Sequence, residues 1–213
     1  MTVTKVEPLT KMKFKVYLDG QFAFVLYKGE LSRFGIKEGV NLSEEMEEKI
    51  RMEVILKRAK LRALHLLEDM DRTEAALREK LRQGMYSADA VDKAVEYVKS
   101  FGYLNDARYA ENFVRSRKGG KSREEIRALL MGKGVAPELA DAAFEICYDR
   151  GEDDGEEEAV RKILRKKRFN PEDADEVQTQ KIYGYLARKG FRYDTVRQVI
   201  QNYNEDLSFR KLH

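Results

Sequence analysis

The fold is decided by a nine-residue stretch that occurs three times in the chain. It reads LREKLRQGM at residues 77–85, IRALLMGKG at 126–134 and IYGYLARKG at 182–190. The starts lie 49 residues apart (77 to 126) and then 56 residues apart (126 to 182). Each copy has apolar residues at helical spacing and a glycine in its closing turn, so the sequence predicts an internal repeat.

Each copy is expected to form the middle of a three-helix module of about 50 residues. A predicted helix precedes it, at residues 59–68, 106–117 and 156–168. An apolar helix follows it and keeps the same offsets, with Val95, Phe144 and Ile200 at one equivalent position and Val98, Cys147 and Tyr203 at another. The alternative is a single irregular helical domain in which these matches arise by chance.

The repeat predicts a mainly α fold of three tandem modules, elongated and curved, with a small N-terminal cap that contains a β-hairpin. The predicted domains are the hairpin-containing extension at 1–45, a linker helix with the first module at 46–104, the second module at 105–150, and the third module with a C-terminal tail at 151–213. Ser43 is expected to cap the linker helix, which is either one long helix or two helices joined near 57–59.

The hairpin is predicted from the alternation of apolar and polar side chains over residues 12–27. We expect a three-residue loop at 18–20 with Gly20 in the left-handed conformation, so that the apolar side chains of both strands share one face. The expected pairs are Val16 with Phe22 and Phe14 with Phe24. An isolated hairpin is marginally stable, so a third strand or a helix is expected to cover it.

Two further helix starts are predicted from local motifs. Ser122 and Glu125 have the spacing of a capping box, in which each side chain accepts a hydrogen bond from the other residue's backbone N–H. The segment Asn170-Pro171-Glu172-Asp173 combines a capping side chain, a proline and two acids, which is typical of a first helical turn.

Composition excludes several classes of protein. Lysine and arginine number 41 and aspartate and glutamate 38, for a net charge of +3. No apolar run is long enough to cross a bilayer and the N-terminus lacks the apolar core of a signal peptide, so we expect a cytoplasmic protein with no membrane partner. One cysteine, Cys147, and two histidines, His65 and His213, are too few for a disulfide framework or a transition-metal site.

No catalytic constellation is recognisable, so we expect neither enzymatic activity nor a cofactor. Cys147 occupies a repeated apolar position, which indicates a small core side chain rather than a nucleophile. The acidic run at 153–158 lacks the ligand spacing of a calcium loop and is interpreted as a linker that becomes the first turn of a helix.

Basic residues cluster in two places despite the near-zero net charge. The first cluster lies between residues 115 and 133, around Gly119-Gly120, and contains seven cations against two glutamates. The second lies at 161–168 and is equally explained by cations favouring the negative end of a helix. With Arg108, these clusters give the candidate residues for contact with DNA or a protein partner: Arg108, Arg115, Arg117, Lys118, Lys121, Arg123, Arg127, Lys133, Arg161, Arg165, Lys166 and Arg168.

Three segments resemble the bacterial RecX family. FGYLNDARYA at 101–110, followed by FVR at 113–115, resembles the family's central signature. IRALLMGKGV at 126–135 is similar to its second characteristic segment, and RTEAALREKL at 72–81 resembles the first-repeat motif, with alanine at 75 and 76 where the family has an acid and its neighbour. The resemblance covers residues 59–205, and the hairpin region is similar to an N-terminal extension of some members.

The resemblance implies a regulator of the RecA recombinase built from tandem three-helix modules. Such a protein binds RecA filaments on DNA, lodges in the filament groove, and suppresses strand exchange, nucleotide hydrolysis and filament growth. The implied partners are RecA and single- and double-stranded DNA, the latter bound weakly without RecA, and we expect a monomer. Two alternatives remain open: a stand-alone DNA-binding regulator with a helix-turn-helix at 122–146, and a helical scaffold that binds neither RecA nor DNA.

Overall fold

The computed structural model describes residues 1–148 and 155–203 of the chain. These residues form a three-stranded antiparallel sheet followed by helices, which confirms a mainly α fold with a small N-terminal sheet. The chain divides into two compact units, Met1–Asn105 and Asp106–His213. Asp153 and Asp154 of the predicted acidic run, and the tail from 204, lie outside the described residues.

The sheet contains β1 (Val3–Pro8), β2 (Lys13–Leu18) and β3 (Gln21–Tyr27) in that order. The third strand expected beside the hairpin is therefore present, and it is the N-terminal strand β1, which pairs with β2. Val3, Val16, Phe24 and Leu26 are buried and join one hydrophobic core with the helices of the same unit. A short helix, α1 (Lys28–Arg33), follows β3.

The expected register of the hairpin is wrong. Leu18 pairs with Gln21, so the turn has two residues, Asp19 and Gly20, with φ of 46° and 83°. Two left-handed residues match the twist of a hairpin. A two-residue turn alone would place the apolar side chains of the two strands on opposite faces, but a bulge beside Val16 shifts the register so that Val16 pairs with Phe24 and the buried face is restored.

The linker is one continuous helix rather than two. It runs through α2 (Glu44–Ile50), a π-helical segment (Arg51–Leu56) and α3 (Lys57–Asp69). Ser43 caps it as predicted, with its side chain accepting a hydrogen bond from the Met46 N–H. The wider π-helical turns lie directly before the point where we considered a break, and π-helical segments accommodate such a change in register without ending a helix.

The three predicted modules are present in the described residues. The first contains α3, α4 (Glu74–Gln83) and α5 (Ala88–Ser100), and lies in the same unit as the sheet. The second unit contains the other two modules. Their helices are α6 (Asp106–Arg117), α7 (Arg123–Gly132) and α8 (Pro137–Cys147), then α9 (Glu156–Lys166), α10 (Glu176–Arg188) and α11 (Tyr193–Gln201).

The helix predicted to start at Asn170 begins instead after Asp175. Residues 171–173 form a single turn, in which the Asn170 side chain accepts a hydrogen bond from the Glu172 N–H and donates one to Asp173. Asp175 and Gln178 form a reciprocal capping box that starts α10. The Asn-Pro motif therefore forms a local turn and not a helix start. The helix begins at the capping box further along the chain, which is the stronger of the two caps.

The repeat is explained by an identical turn at the end of each middle helix. Leu81, Leu130 and Leu186 occupy equivalent positions and are fully buried. Their backbone oxygens accept hydrogen bonds from the N–H groups of residues 86, 135 and 191, five residues later. The residue before each donor is left-handed, with φ of 63° at Met85, 77° at Gly134 and 81° at Gly190. This is a Schellman-type end, which turns the chain from the second helix of the module into the third.

Met85 is the exception within this pattern, because the other two modules have glycine at the equivalent position. A left-handed conformation costs a residue with a side chain roughly 1 kcal/mol more than it costs glycine. The first module therefore has a methionine at a position where the backbone conformation favours glycine.

The buried leucine should be essential to the stability of its module. We expect Leu130→Ala to reduce the free energy of unfolding by about 2–5 kcal/mol, because it leaves a cavity in a fully buried site. Its neighbour Leu129 is 37% exposed, so Leu129→Ala should cost less than about 1 kcal/mol. Urea denaturation of the two variants measures the difference, and equal losses would contradict the assigned role.

Candidate functional site

The first predicted basic cluster lies at the end of α6, in the following loop and along α7. Arg115 is exposed in the last turn of α6, with its guanidinium 3.5 Å from the Glu111 carboxylate. Arg117 lies over the Phe113 ring at 3.6 Å from the ring centroid, and Lys133 approaches the same ring at 5.7 Å. The fold thus brings Arg117 and Lys133 together around one aromatic side chain.

Three cations of this cluster are directed to partners within the chain. The Lys118 ammonium donates to the Cys147 carbonyl at 3.1 Å and lies 4.8 Å from the Tyr148 ring centroid. The Arg123 guanidinium lies over the same ring at 4.1 Å. Lys121 forms an ion pair with Glu125. These side chains therefore hold structural contacts within the second unit.

A buried carboxylate joins the second module to the third. Glu156, the first residue of α9, is 2% exposed. One of its oxygens accepts a hydrogen bond from the Arg123 backbone N–H at 2.9 Å, and the other accepts one from the Arg192 side chain at 3.4 Å. A buried carboxylate is stable only with such partners, so Glu156 fixes the start of α9 against the start of α7.

Ser122 makes a second contact between these two modules, and we call the contacts of Glu156 and Ser122 together the joint. Its hydroxyl donates to the Lys189 carbonyl at 2.5 Å and accepts from the Glu125 N–H at 3.0 Å. The predicted capping box is therefore only half correct, since the Glu125 carboxylate is paired with Lys121 and with the Lys189 ammonium at 3.4 Å. Burial raises the pKa of Glu125, but the two ammonium groups outweigh it and hold the pKa below its usual value.

Glycines allow the two modules to approach this closely. A Cβ at Gly190 would lie 2.7 Å from the Cβ of Glu124, and a Cβ at Gly155 would lie 2.9 Å from the Gly119 nitrogen. The Gly119 carbonyl also accepts a hydrogen bond from Lys162 at 2.7 Å. Gly119, in the loop between α6 and α7, is thus packed against the third module, whereas Gly120 is exposed.

The remaining candidate residues are distributed over the same unit. Arg127 forms an ion pair with Asp141, and Arg108 is exposed on α6. Arg161 and Arg165 lie 2.9 Å from Glu157 and Glu158 respectively, whereas Lys166 and Arg168 are exposed at the end of α9. The second cluster therefore matches the interpretation as cations paired along one helix and favoured at its C-terminal end.

The sequence alone did not reveal the residues that connect the second module to the third. Glu156 was interpreted as one of three acids favoured at a helix start, Lys189 and Gly190 were considered only as members of the repeat, and Arg192 was not singled out. The available signal was Gly190, since a left-handed position with no room for a side chain indicates a close backbone approach. What approaches it lies more than 60 residues away in sequence and is visible only in the fold.

Neither a metal site nor a membrane span is found within residues 1–148 and 155–203. No group of three or more His, Cys, Asp or Glu side chains is arranged to hold a metal ion in this part of the chain. None of its helices combines the length and the apolar character needed to cross a bilayer.

Comparison with known proteins assigns the three modules individually. Models of the first, second and third three-helix domains of RecX match residues 59–97, 105–143 and 155–200, in that order. The chain is also 37% identical over 145 residues to the regulatory protein RecX of Trichlorobacter lovleyi, covering 66% of this chain and 92% of that one. The chain belongs to the RecX family. The recognition from sequence and the repeat of three modules are therefore confirmed.

Other RecX proteins extend the similarity to the N-terminal region. The regulatory protein RecX of Clostridium beijerinckii is 26% identical over 205 residues, covering 94% of both chains. A crystal structure of a regulatory protein RecX superposes with a TM-score of 0.63 at 24% identity, covering 94% of this chain and 98% of that chain. The structure of RecX from Lactobacillus salivarius gives a TM-score of 0.61 over 71% of this chain. At these identities the two structures establish the fold.

A side chain at Gly190 should destabilise the contact between the second and third modules. We expect Gly190→Ala to lower the free energy of unfolding by about 1–3 kcal/mol, because the residue is left-handed and the new Cβ meets Glu124. Gly132 is the control: it ends α7 and a Cβ there meets no atom of the described chain within 4 Å, so Gly132→Ala should be neutral or stabilising by up to about 1 kcal/mol. Urea denaturation distinguishes them, and a Gly190→Ala protein as stable as the parent would refute the close approach.

Proposed function

We propose that this chain regulates the RecA recombinase by binding RecA filaments on DNA. The single observation that carries the proposal is the match of all three RecX module models in order along the chain. The protein lodges in the filament groove, where it inhibits strand exchange, ATP hydrolysis and filament growth. It acts as a monomer in the cytoplasm and has no catalytic role of its own.

The joint between the second and third modules supports this mode of action. A protein that spans neighbouring protomers of a filament needs adjacent modules held in a fixed relation, because each freely jointed element would lose conformational entropy on binding. Glu156 and Ser122 provide that fixed relation within the second unit through buried hydrogen bonds. Their role is to preorganise the surface rather than to contact the partner.

The exposed cations of the second unit are assigned the contacts with DNA phosphates and acidic side chains. Arg115, Lys166 and Arg168 are exposed, whereas Lys118 and Lys121 are engaged within the chain. DNA bound mainly through phosphate contacts of this kind, single- or double-stranded, is held weakly at physiological salt when RecA is absent. Charged contacts of this kind set orientation and association rate more than affinity.

An aromatic group at the end of the first module is assigned as the anchor for the protein partner. Phe101 and Tyr103 are 58% and 55% exposed, and their rings stack at 6.0 Å. The Tyr97 ring lies 5.0 Å from Phe101 and completes the group. Large aromatic side chains that pack together while exposed to solvent are typical of the anchors that provide most of the energy of a protein interface.

A stand-alone helix-turn-helix regulator is the second candidate, and the second module disfavours it. In that motif the second helix enters the major groove and its N-terminal residues contact bases. Here that helix is α8, which carries Glu138, Asp141 and Glu145 and neither lysine nor arginine. A helix with three acids is repelled by the phosphates on both sides of the groove.

The proposal predicts inhibition of RecA at low ratios of protein to recombinase. Substoichiometric amounts should lower DNA-dependent ATP hydrolysis by RecA, because one molecule that blocks a filament affects many protomers. The measurement is a titration of the ATPase rate, with strand exchange in parallel. No effect on either rate at saturating protein would overturn the proposal.

The aromatic anchor predicts which surface is responsible. The double variant Phe101→Ser with Tyr103→Ser should need at least about tenfold more protein for half-maximal ATPase inhibition, because two interface anchors are lost. Met52→Ser with Met70→Ser removes two exposed apolar side chains of the same unit and should inhibit like the parent. Equal inhibition by both double variants would exclude the aromatic group as the anchor.

A further inference from the structure

The first unit contains a cleft with an unusual lining. It has a volume of about 850 Å³ and lies between the sheet, α3 and the end of α4. Its lining includes four lysine and arginine side chains and no carboxylate. In the whole chain, by contrast, basic and acidic residues are nearly equal in number. The four cations of the cleft are Lys13, Arg58, Arg62 and Lys80.

One of the four cations forms the wall of the cleft. Arg58 donates to the Val25 carbonyl at 3.0 Å and is paired with Glu30, while its guanidinium lies 4.6 Å from the centroid of the Tyr27 ring. Lys13 approaches the same ring at 5.4 Å. The sheet and the long helix are thereby held together on this side, with Tyr27 between two cations.

The charges of the other three cations are available to bind an anionic ligand. Within residues 1–148 and 155–203, no carboxylate lies within ion-pair distance of the charged nitrogens of Lys13, Arg62 or Lys80. The Lys80 ammonium donates to a neutral acceptor, Oε1 of Gln83, at 3.3 Å. The three residues come from β2, α3 and α4, so their charges surround the cleft rather than lie along one helix.

An aromatic side chain completes the cleft. A Cβ at Gly84 would lie 3.0 Å from the Tyr86 ring, so the ring lies directly against the backbone there. Burial holds the pKa of the Tyr86 hydroxyl above its usual value, although the Arg58 and Arg62 guanidinium groups, which line the same cleft, act against it. Met85 also lines the cleft, and it occupies the left-handed position at which the other two modules have glycine. A contribution to the cleft would explain why this module keeps a side chain there.

We propose that this cleft binds a single strand of nucleic acid, with Lys13, Arg62 and Lys80 on its phosphates and Tyr86 stacked on a base. Single-strand sites combine cations with an aromatic ring on which a base stacks, and this cleft is lined by both. A duplex keeps its bases stacked internally and cannot present a base face to the ring. The inference adds a site to the DNA contact of the proposed function, and it is tested without RecA.

The electrostatic part is tested by fluorescence anisotropy with labelled oligo(dT) and the full-length chain over a range of salt concentrations. Arg62→Glu with Lys80→Glu should weaken binding by about tenfold or more and reduce the salt slope by about 1.4, since two phosphate contacts are lost. Lys37→Glu with Lys49→Glu is the matched control, because it makes the same change in net charge at exposed positions that do not line the cleft. Equal weakening by both pairs would refute the site.

The stacking part is tested with Tyr86. Tyr86→Leu removes the ring and should weaken binding roughly five- to 150-fold, whereas Tyr86→Phe keeps the ring and should bind like the parent. The folded state of each variant is checked by its unfolding midpoint. If Tyr86→Phe loses as much affinity as Tyr86→Leu, or if a folded Tyr86→Leu protein binds normally, stacking is excluded.

Competition identifies the class of ligand. Unlabelled oligo(dT) should displace the probe, and duplex DNA, thymidine monophosphate and poly-glutamate should do so poorly at equal concentration of negative charge. Displacement by thymidine monophosphate as effective as by the strand would assign a free nucleotide instead, and displacement by poly-glutamate alone would assign an acidic peptide. Both results overturn the proposal. A variant that loses oligo(dT) binding but still inhibits RecA leaves the proposed function standing, so the two failures are distinguishable.

Discussion

The left-handed residue that follows each middle helix is the constraint on which the modules depend. It allows the N–H of the next residue to bond back to the leucine carbonyl five positions earlier, and so directs the third helix across the second. The leucine side chain is buried by this crossing in every module. Three modules of different sequence therefore share the same turn and the same buried leucine.

The distribution of charge follows from how the modules are joined. The densest run of cations in the sequence lies at 115–133, yet several of its members are paired with carboxylates, carbonyls and aromatic rings of their own unit. The uncompensated cations around the cleft are instead scattered over residues 13 to 80. Local charge density in a sequence thus indicates where ion pairs can form, whereas free charge depends on which acids the fold brings nearby.

The parts of the fold predicted correctly from sequence are those set by short-range rules. Ser43 and the repeated glycines act on their own neighbours, so their roles are visible in a few residues. The hairpin register was missed because a bulge beside Val16 compensates for the turn, and Asn170 was misassigned because a second cap competes with it. The contacts of Glu156 and Ser122 join segments 33 and 67 residues apart, and no local pattern specifies such partners.

The π-helical segment has a consequence for how the first unit unfolds. It keeps residues 44–69 a single helix, whose buried Ile50 and Val54 share one core with Val16 of the sheet and Leu81 of the first module. The sheet therefore has no core of its own to retain when the module opens, and the module has no independent N-terminal boundary at α3. We therefore expect the strands and helices of this unit to unfold as one cooperative element, so that their protected amide hydrogens exchange together rather than in two steps.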